Sequence, residues 1–326
     1  MLERYIALFA MEDNNDEEWV IGQLLYDGKM LYYDGIAPDP SSGHPVPKGK
    51  SLDDVANDTF FNHYALETKR KTRLVRQILD YGEYYPRIYR PFAFNGGRFI
   101  REREISMIAI QEEMDPGQNP PSNYPAIPIN TSTYLKSLSQ LALFREQLTT
   151  IFRTVEPEAS NLNVYGHEIR NLLVISCTEV ESHWKAILRE NNQLPSRAST
   201  RDYVKLLTPL KLDEYSISLP LYPGIPVISP FSKWNNTNPT QSLDWYDAYN
   251  KTKHDRETDF NQATLLNTIT AITACAIMVL AQFGKRNSWD DYLGEFFQLH
   301  QIPKWLPEEM YMRTSNQKFS SINYPF

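Results

Sequence analysis

The sequence predicts an α+β chain, with a mixed amino-terminal domain that carries a β-hairpin and an all-α helical bundle after it. Three observations carry this expectation. Aromatic-rich runs flank an Asp27-Gly28 pair, apolar residues recur at helical spacing from Leu135 onward, and a Pro- and Asn-rich stretch from Met114 to Pro128 separates the two patterns. The implied organisation is a domain over 1–128, a bundle over 129–284 interrupted by a Pro-rich excursion at 209–241, and a closing helix and tail over 285–326.

The first run, Tyr5 to Ala10, reads as a strand. Trp19 to Tyr26 and Lys29 to Tyr33 read as the hairpin, because Asp-Gly suits a type I′ turn in which both central residues need positive φ. Ala37 to Gly49 is dense in Pro, Gly and Ser and reads as a loop. From Ser51, with Asp53 and Asp54 in its first turn, a helical stretch is expected to about Tyr81. Arg98 to Ile110 alternates charged and apolar residues and reads as a further strand.

In the second half, Thr131 or Ser132 is positioned to cap a helix that runs towards Glu156-Pro157. Leu162 to Arg189 places Tyr165, Ile169, Leu172, Leu173, Ser176, Val180, Trp184 and Ile187 on one stripe, the mark of a core-facing helix. Thr200 to Leu207 suits a short helix. Glu214 to Phe231 holds four prolines and reads as an extended excursion over the bundle. The next helix, capped by Ser242 or Asp244, would run to a stop at Gly284, roughly 60 Å in all, with a kink or break expected near Glu257 to Asn261. Trp289 to His300 suggests one last short helix.

Composition narrows the function. A net charge of -7 and a pI near 5.5 leave only local basic patches as an electrostatic route to nucleic acid. The patch is Lys69 to Arg103, with ten basic residues, among them Lys69, Arg70, Lys71, Arg73 and Arg76, against three acids. It suits either a solvated helix face or a phosphate-binding surface with Tyr81, Tyr84, Tyr85 and Tyr89 available for stacking. Cys177 and Cys275 lie in apolar helical runs and are expected to be buried thiols, which fits a reducing cytoplasm. Ala263 to Phe283 approaches the length of a membrane span, but its Asn and Thr interruptions point to a buried core helix, so no membrane is expected. His167 and His183 lack metal-ligand spacing. With no phosphate-cradling glycine loop and no nucleophile elbow, neither a metal nor a cofactor is expected.

The richest chemistry lies in Trp245 to Arg256, which reads Trp-Tyr-Asp-Ala-Tyr-Asn-Lys-Thr-Lys-His-Asp-Arg. Asn250 and His254 are four apart and share a helix face, with Lys253 close by. His254 suits either a hydrogen-bonded network at a helix interface or proton transfer on RNA. The aromatics Trp245, Tyr246 and Tyr249 suit bundle packing or base stacking.

This block, followed by Phe260 and Ala263-Thr264-Leu265, resembles the last long helices of the HEPN superfamily. Glu168 to Leu173 and Ser176 to Trp184 look like the HEPN helix that faces them, and the Pro-rich excursion is also similar to some members. The resemblance implies a helical bundle, often a homodimer. In many members it cleaves RNA without metal, in antiviral defence, toxin-antitoxin or RNA-processing systems, where an antitoxin or other protein is a partner. His254 matches the histidine of the nuclease motif and Asn250 its polar residue. The arginine is unmatched, because the three positions it could take hold Tyr249, Ala248 and Asp247. With His254 as the proton-transfer group, Lys253, Arg256 or Arg170 would supply a cation and Glu168 an acid from the facing helix. Two expectations stand: an endoribonuclease, or a catalytically inactive module that binds RNA, nucleotide or a protein partner.

Overall fold

The computed structural model describes residues 2–10, 17–33, 43–62, 72–80, 82–93, 97–100, 130–286, 289–312 and 319–326. The chain is α+β and divides into two compact units, each treated separately below. One comprises Met1–Tyr84, Arg90–Pro128 and Lys304–Ile322. The other comprises Tyr85–Tyr89, Ile129–Pro303 and Asn323–Phe326.

The first unit is built on an antiparallel sheet. Strands β1 (Glu3–Ala10), β2 (Glu17–Tyr26), β3 (Met30–Tyr33), β4 (Gly43–Pro45) and β5 (Arg73–Arg76) lie in the order β4-β3-β2-β1-β5. The apolar run of β1 suits its place between β2 and β5, since Ile6 to Phe9 are buried on both faces. Ala7 packs with Leu24, Leu31 and helix α1 (Leu52–Thr59), whereas Ile6 and Leu8 pack with Met310 and Met312 from the far end of the chain.

Several expectations are corrected here. The hairpin forms, but its central pair is Gly28-Lys29, closed by Asp27 N donating to Met30 O at 3.2 Å. Of the turn residues only Gly28 has positive φ, at 98°, which is the Gly-first pattern of a II′ turn and not type I′. The Asp27 carboxylate is engaged instead in accepting from the Lys29 and Met30 amides at 2.8 and 2.7 Å. Gly43 to Pro45, expected in a loop, is a strand on β3. The helix from Ser51 ends at Thr59, and Arg73–Arg76 is strand, not helix. Asn57 explains the join: its side chain both accepts from Thr72 N at 2.8 Å and donates to Thr72 O at 2.6 Å, as a neighbouring strand would. Strand β8 (Gly97–Ile100) pairs with β2, and the rest of the expected strand to Ile110 lies outside the described residues. Two short parallel pairs bring the carboxy-terminal segment into this unit, β7 (Phe92–Ala93) with β11 (Tyr311–Met312) and β6 (Glu83–Tyr84) with β12 (Ser320–Ser321).

The second unit is mainly helical. Its long helices are α2 (Thr131–Phe152), α3 (His167–Glu190), α4 (Asp244–His254) and α6 (Leu265–Phe283), with a single turn α5 (Arg256–Asp259) after α4. Asn130, not Thr131 or Ser132, caps α2, accepting from Thr133 N at 3.0 Å. The stripe of α3 is buried from Ile169 to Ile187, while Tyr165 lies before the helix and is exposed.

Helix α6 is the core helix, long and apolar enough to cross a membrane but with 83% of its most apolar window buried inside the protein. Its threonines are compatible with that burial because their hydroxyls are bonded. Thr268 donates to Ile169 O of α3 at 3.1 Å and to Thr264 O at 3.0 Å, and Thr273 donates to Ile269 O at 2.9 Å. Its first amides are met by carbonyls ahead of α3, Leu265 N on Val164 O and Leu266 N on Leu162 O. Gly284 ends it at φ 72°. Cys177 and Cys275 are buried free thiols on α3 and α6.

The Pro-rich excursion carries β9 (Ser216–Ser218), which pairs with β10 (Gln298–Gln301), so this unit is not wholly α. The segment expected as a last helix, Trp289 to His300, is a single π-helical turn at Asp290–Gly294 followed by β10.

A buried polar chain crosses α3 and α6. Arg87 Nη1 donates to Gln282 Oε1 at 3.0 Å, which orients the amide so that its Nε2 donates to His183 Nδ1 at 3.0 Å. The His183 proton therefore sits on Nε2, 3.5 Å from Glu179 Oε1. Burial, and then the Arg87 charge, lower the His183 pKa from 6.5 to about 4, and a protonated Nδ1 would also meet the Gln282 donor. Because the folded value lies below the unfolded one, this contribution is present above pH 6.5 and is lost as pH falls through about 4; it amounts to about 3 kcal/mol. Glu179, raised by burial, titrates in the opposite sense. Replacement of His183 by Gln leaves Glu179 in place and is expected to flatten the decline in unfolding free energy between pH 6.5 and 4, measured by urea titration at several pH values. A slope equal to that of the wild type would show that His183 is not the group responsible.

Candidate functional site

Helix α4 carries the chemistry recognised in the sequence, and its rotation is set by aromatic packing. Trp245, Tyr246, Ala248, Tyr249 and Thr252 are buried. Trp245 and Tyr246 meet Trp184 of α3, with ring centroids 6.4 and 5.4 Å apart. The polar ends are satisfied at the same time, since Trp245 Nε1 donates to Pro230 O at 3.0 Å and Tyr246 donates to Glu181 Oε1 at 2.8 Å. Burial, reinforced by the Glu181 carboxylate, pushes the Tyr246 phenol well up and keeps it protonated. These rings are packing elements and present no open stacking platform.

The opposite face of α4 carries Asp247, Asn250, Lys251 and His254, which follow one another at three- and four-residue steps. Asn250 is half-buried and donates to Tyr246 O at 3.0 Å. Asp247 and Lys251 form an ion pair at 2.7 Å, and that hydrogen bond raises the Lys251 pKa. His254 is the last residue of the helix and is exposed, and none of the described residues hydrogen-bonds to its ring.

The helix, expected to kink or break near Glu257 to Asn261, breaks already beside His254, at Asp255. Asp255 has φ -134° and ψ 87°, and its carboxylate accepts from Thr258 N at 3.1 Å, so it starts a new turn where α4 stops. A second interruption, Phe260 to Thr264, precedes α6, whose cap Thr264 accepts from Asn267 N at 3.2 Å.

Two of the cations expected around His254, Lys253 and Arg170, have partners of their own. Lys253 is exposed and donates to the Tyr249 hydroxyl at 2.9 Å, which raises its pKa. Arg170, in the first turns of α3, points Nη2 at Thr252 O at 3.4 Å, in the last turn of α4. A cation beside an unpaired terminal carbonyl is favourable both as a cap and towards the helix dipole. Glu168 is exposed at the start of α3, beside His167, whose ring meets Phe260 at 5.0 Å. The fold thus brings the start of α3 to the end of α4. Arg256 lies in α5, and its side chain is outside the described residues.

The basic stretch is divided between the two units, with Arg73, Arg76 and Arg90 in the first and Arg87 in the second. Lys69, Arg70 and Lys71 lie outside the described residues. Arg73 and Arg76 belong to a strand, and Arg76 pairs with Glu3 at 3.0 Å. Arg87 ion-pairs with Glu190, and Arg90 is buried and donates to Glu309 O at 3.2 Å. Tyr84 meets Phe319 and Tyr85 meets Tyr324, so neither ring is a free platform. Sequence reasoning noted Asp247 only as a position without the arginine and did not pair it with Lys251, although the four-residue spacing places the two on one face.

Among the described residues no group of three His, Cys, Asp or Glu side chains could hold a metal ion. If the Arg170 guanidinium holds the end of α4, replacing it with Met should speed amide exchange at Asp255, whose N–H closes the last turn on Lys251 O. The expected loss is about 1 kcal/mol, or about fivefold in protection, read by hydrogen exchange. Unchanged protection would mean that the guanidinium is free to serve a ligand. No protein-family model matches this chain, and neither a curated protein nor a solved structure matches it.

Proposed function

We propose that this chain is a HEPN-like module that acts by binding a partner protein at the exposed face of α4, without cleaving RNA. One observation carries the reading. Asp247 stands seven residues before His254 on the same face and is ion-paired to Lys251 at 2.7 Å, so that the region where the nuclease pattern needs a free cation holds a neutralised pair. A polyanion is stabilised by unopposed positive charge, which a carboxylate removes. A face offering an acid, an amide, a lysine and a histidine suits the mixed hydrogen-bonding rim of a protein interface. Arg170 and Lys253 support this, because Arg170 is directed at a helix carbonyl and Lys253 at a phenol.

A second reading, a metal-independent endoribonuclease, is favoured by the exposure of His254 and by the approach of Arg170 to its helix. In that reading His254 moves the proton of the 2′-hydroxyl, and a second copy of the chain contributes the missing charge across a two-fold axis.

Incubation of purified protein with labelled RNA in EDTA separates the two. Intact RNA is expected with the wild type and with His254→Ala alike. Cleavage by the wild type that disappears in His254→Ala would replace the binding reading with the nuclease one.

A further inference from the structure

The exposed face of α4 is polar throughout, so as an interface it supplies a rim and lacks an apolar centre. A candidate centre lies beside it in the same unit. Tyr165 is 51% exposed and meets Phe260 in a T-shaped pair with ring centroids 5.8 Å apart, and the exposed His167 meets the same Phe260 ring at 5.0 Å. Val164, 37% exposed, adjoins Tyr165 in the chain. Phe260 opens the short turn Phe260–Gln262, which packs on α4.

The rings are fixed through the backbone that carries them. Tyr165 forms an antiparallel bridge with Thr264, and Val164 O and Leu162 O accept from Leu265 N and Leu266 N at 2.8 and 2.9 Å, so the segment ahead of α3 is tied to the start of α6. On the other side Asn267 donates to Gln262 O at 2.9 Å, which holds the turn that carries Phe260. Gly166, between Tyr165 and His167 in the chain, has open space where a Cβ would stand. A ring cluster held in place while its surface stays in water has already lost the conformational freedom that binding would cost, as an interface anchor does.

The charge around the rings selects the occupant. Glu168 follows His167 and Asp259 precedes Phe260, with Glu257 two residues further back. Among the described residues none of these three carboxylates forms an ion pair or accepts a hydrogen bond. The nearby cations are directed elsewhere, Arg170 at Thr252 O, Lys253 at Tyr249, and Lys251, on which Asp259 also acts, at Asp247. Aromatic faces attract a guanidinium or an ammonium, and unpaired carboxylates add charge-assisted hydrogen bonds to it, whereas the same carboxylates repel the phosphates of RNA. We propose that Tyr165, Phe260 and His167 form the anchor of the partner interface and receive an arginine- or lysine-bearing segment of the partner protein, an inference that rests on the partner-binding reading of α4.

The test is selection of a random peptide library displayed on phage against the full chain, followed by calorimetric titration of the wild type and variants with the synthesised peptides that emerge. Selected peptides are expected to exceed the library frequency of arginine and lysine. Tyr165→Ala should weaken their binding about tenfold, and Tyr165→Phe, which keeps the ring, should bind as the wild type does. Glu168→Gln combined with Asp259→Asn should weaken binding about fivefold and flatten its dependence on salt. The anchor is overturned if the selected peptides are uncharged or acidic, if they bind Tyr165→Ala as tightly as the wild type, or if none is selected. It is equally overturned if labelled single-stranded RNA, titrated into the same variants, binds in a manner that depends on Tyr165 while the peptides do not. Basic peptides weakened by Asn250→Ala and not by Tyr165→Ala would keep the α4 reading and remove only the anchor, whereas RNA cleavage lost in His254→Ala would remove the α4 reading itself.

Discussion

The position of every candidate functional group in the helical unit depends on how Trp184 is enclosed. It is wholly buried, stacked on Trp234 with centroids 5.0 Å apart, and its ring lies within 6.4 Å of those of Tyr203, Phe231, Trp245 and Tyr246. Two of those partners come from α4 and two from the Pro-rich excursion. Burying an aromatic ring contributes about 2–3 kcal/mol, whereas a surface pair such as Asp247–Lys251 is worth at most about 1 kcal/mol. The apolar side therefore decides the rotation of α4. Asp247, Asn250, Lys251 and His254 face outwards because Trp245, Tyr246 and Tyr249 face in.

The same enclosure explains why the excursion is extended without being loose. Ile217 and Ile228 exchange backbone hydrogen bonds at 3.0 and 2.9 Å, and the chain then delivers Phe231 and Trp234 to Trp184. Trp234 Nε1 donates to Pro239 O at 2.8 Å, which closes the loop that leads into α4. The prolines exclude helix, and the aromatics give the non-helical chain a reason to stay on the bundle. Leu243, the residue ahead of α4, provides no side-chain cap, so the helix start is held by packing and by Tyr246 and Asp247 amides on Leu243 O.

Much of this was legible in the residues. The stripe from Ile169 to Ile187 identified α3 and its buried face, because a period of 3.6 survives any tertiary context that buries one side of a helix. The break at Asp255 was harder to see. Asp is also common on exposed helix surfaces, and only the capping bond to Thr258 N distinguishes the two uses. The helix expected up to Tyr81 failed for a non-local reason. Leu74 and Val75 are compatible with either element, and pairing with β1 together with the Asn57 side chain selects strand. Least visible was the return of Met310 and Met312 to the β1 face, a contact across three hundred residues that no local pattern encodes. On α4, sequence spacing put Asn250 and His254 on one helix face, which the helix Asp244–His254 provides. It did not reveal that Arg170 and Lys253 are directed at a carbonyl and a hydroxyl, since such pairings depend on which helix ends meet.

That last point bears on what a histidine at a helix end would need in order to act on RNA. Metal-free cleavage of RNA requires a proton-transfer group and a cation that remains available when phosphate arrives. His254 satisfies the first requirement through its exposure. The second depends on what else the cations are doing, and Lys251, Lys253 and Arg170 each have a local partner that would have to be given up. Lys253 would lose a hydrogen bond to Tyr249, Lys251 would lose Asp247, and Arg170 would leave a helix carbonyl uncapped. Each exchange is modest, roughly 0.5–1.5 kcal/mol, but all oppose phosphate, and the Asp247 carboxylate remains beside it. Tyr249 cannot relieve this, because it is buried in the aromatic core. Thus Tyr249, at a position where the nuclease pattern could hold its arginine, packs in the aromatic core instead and helps to anchor α4.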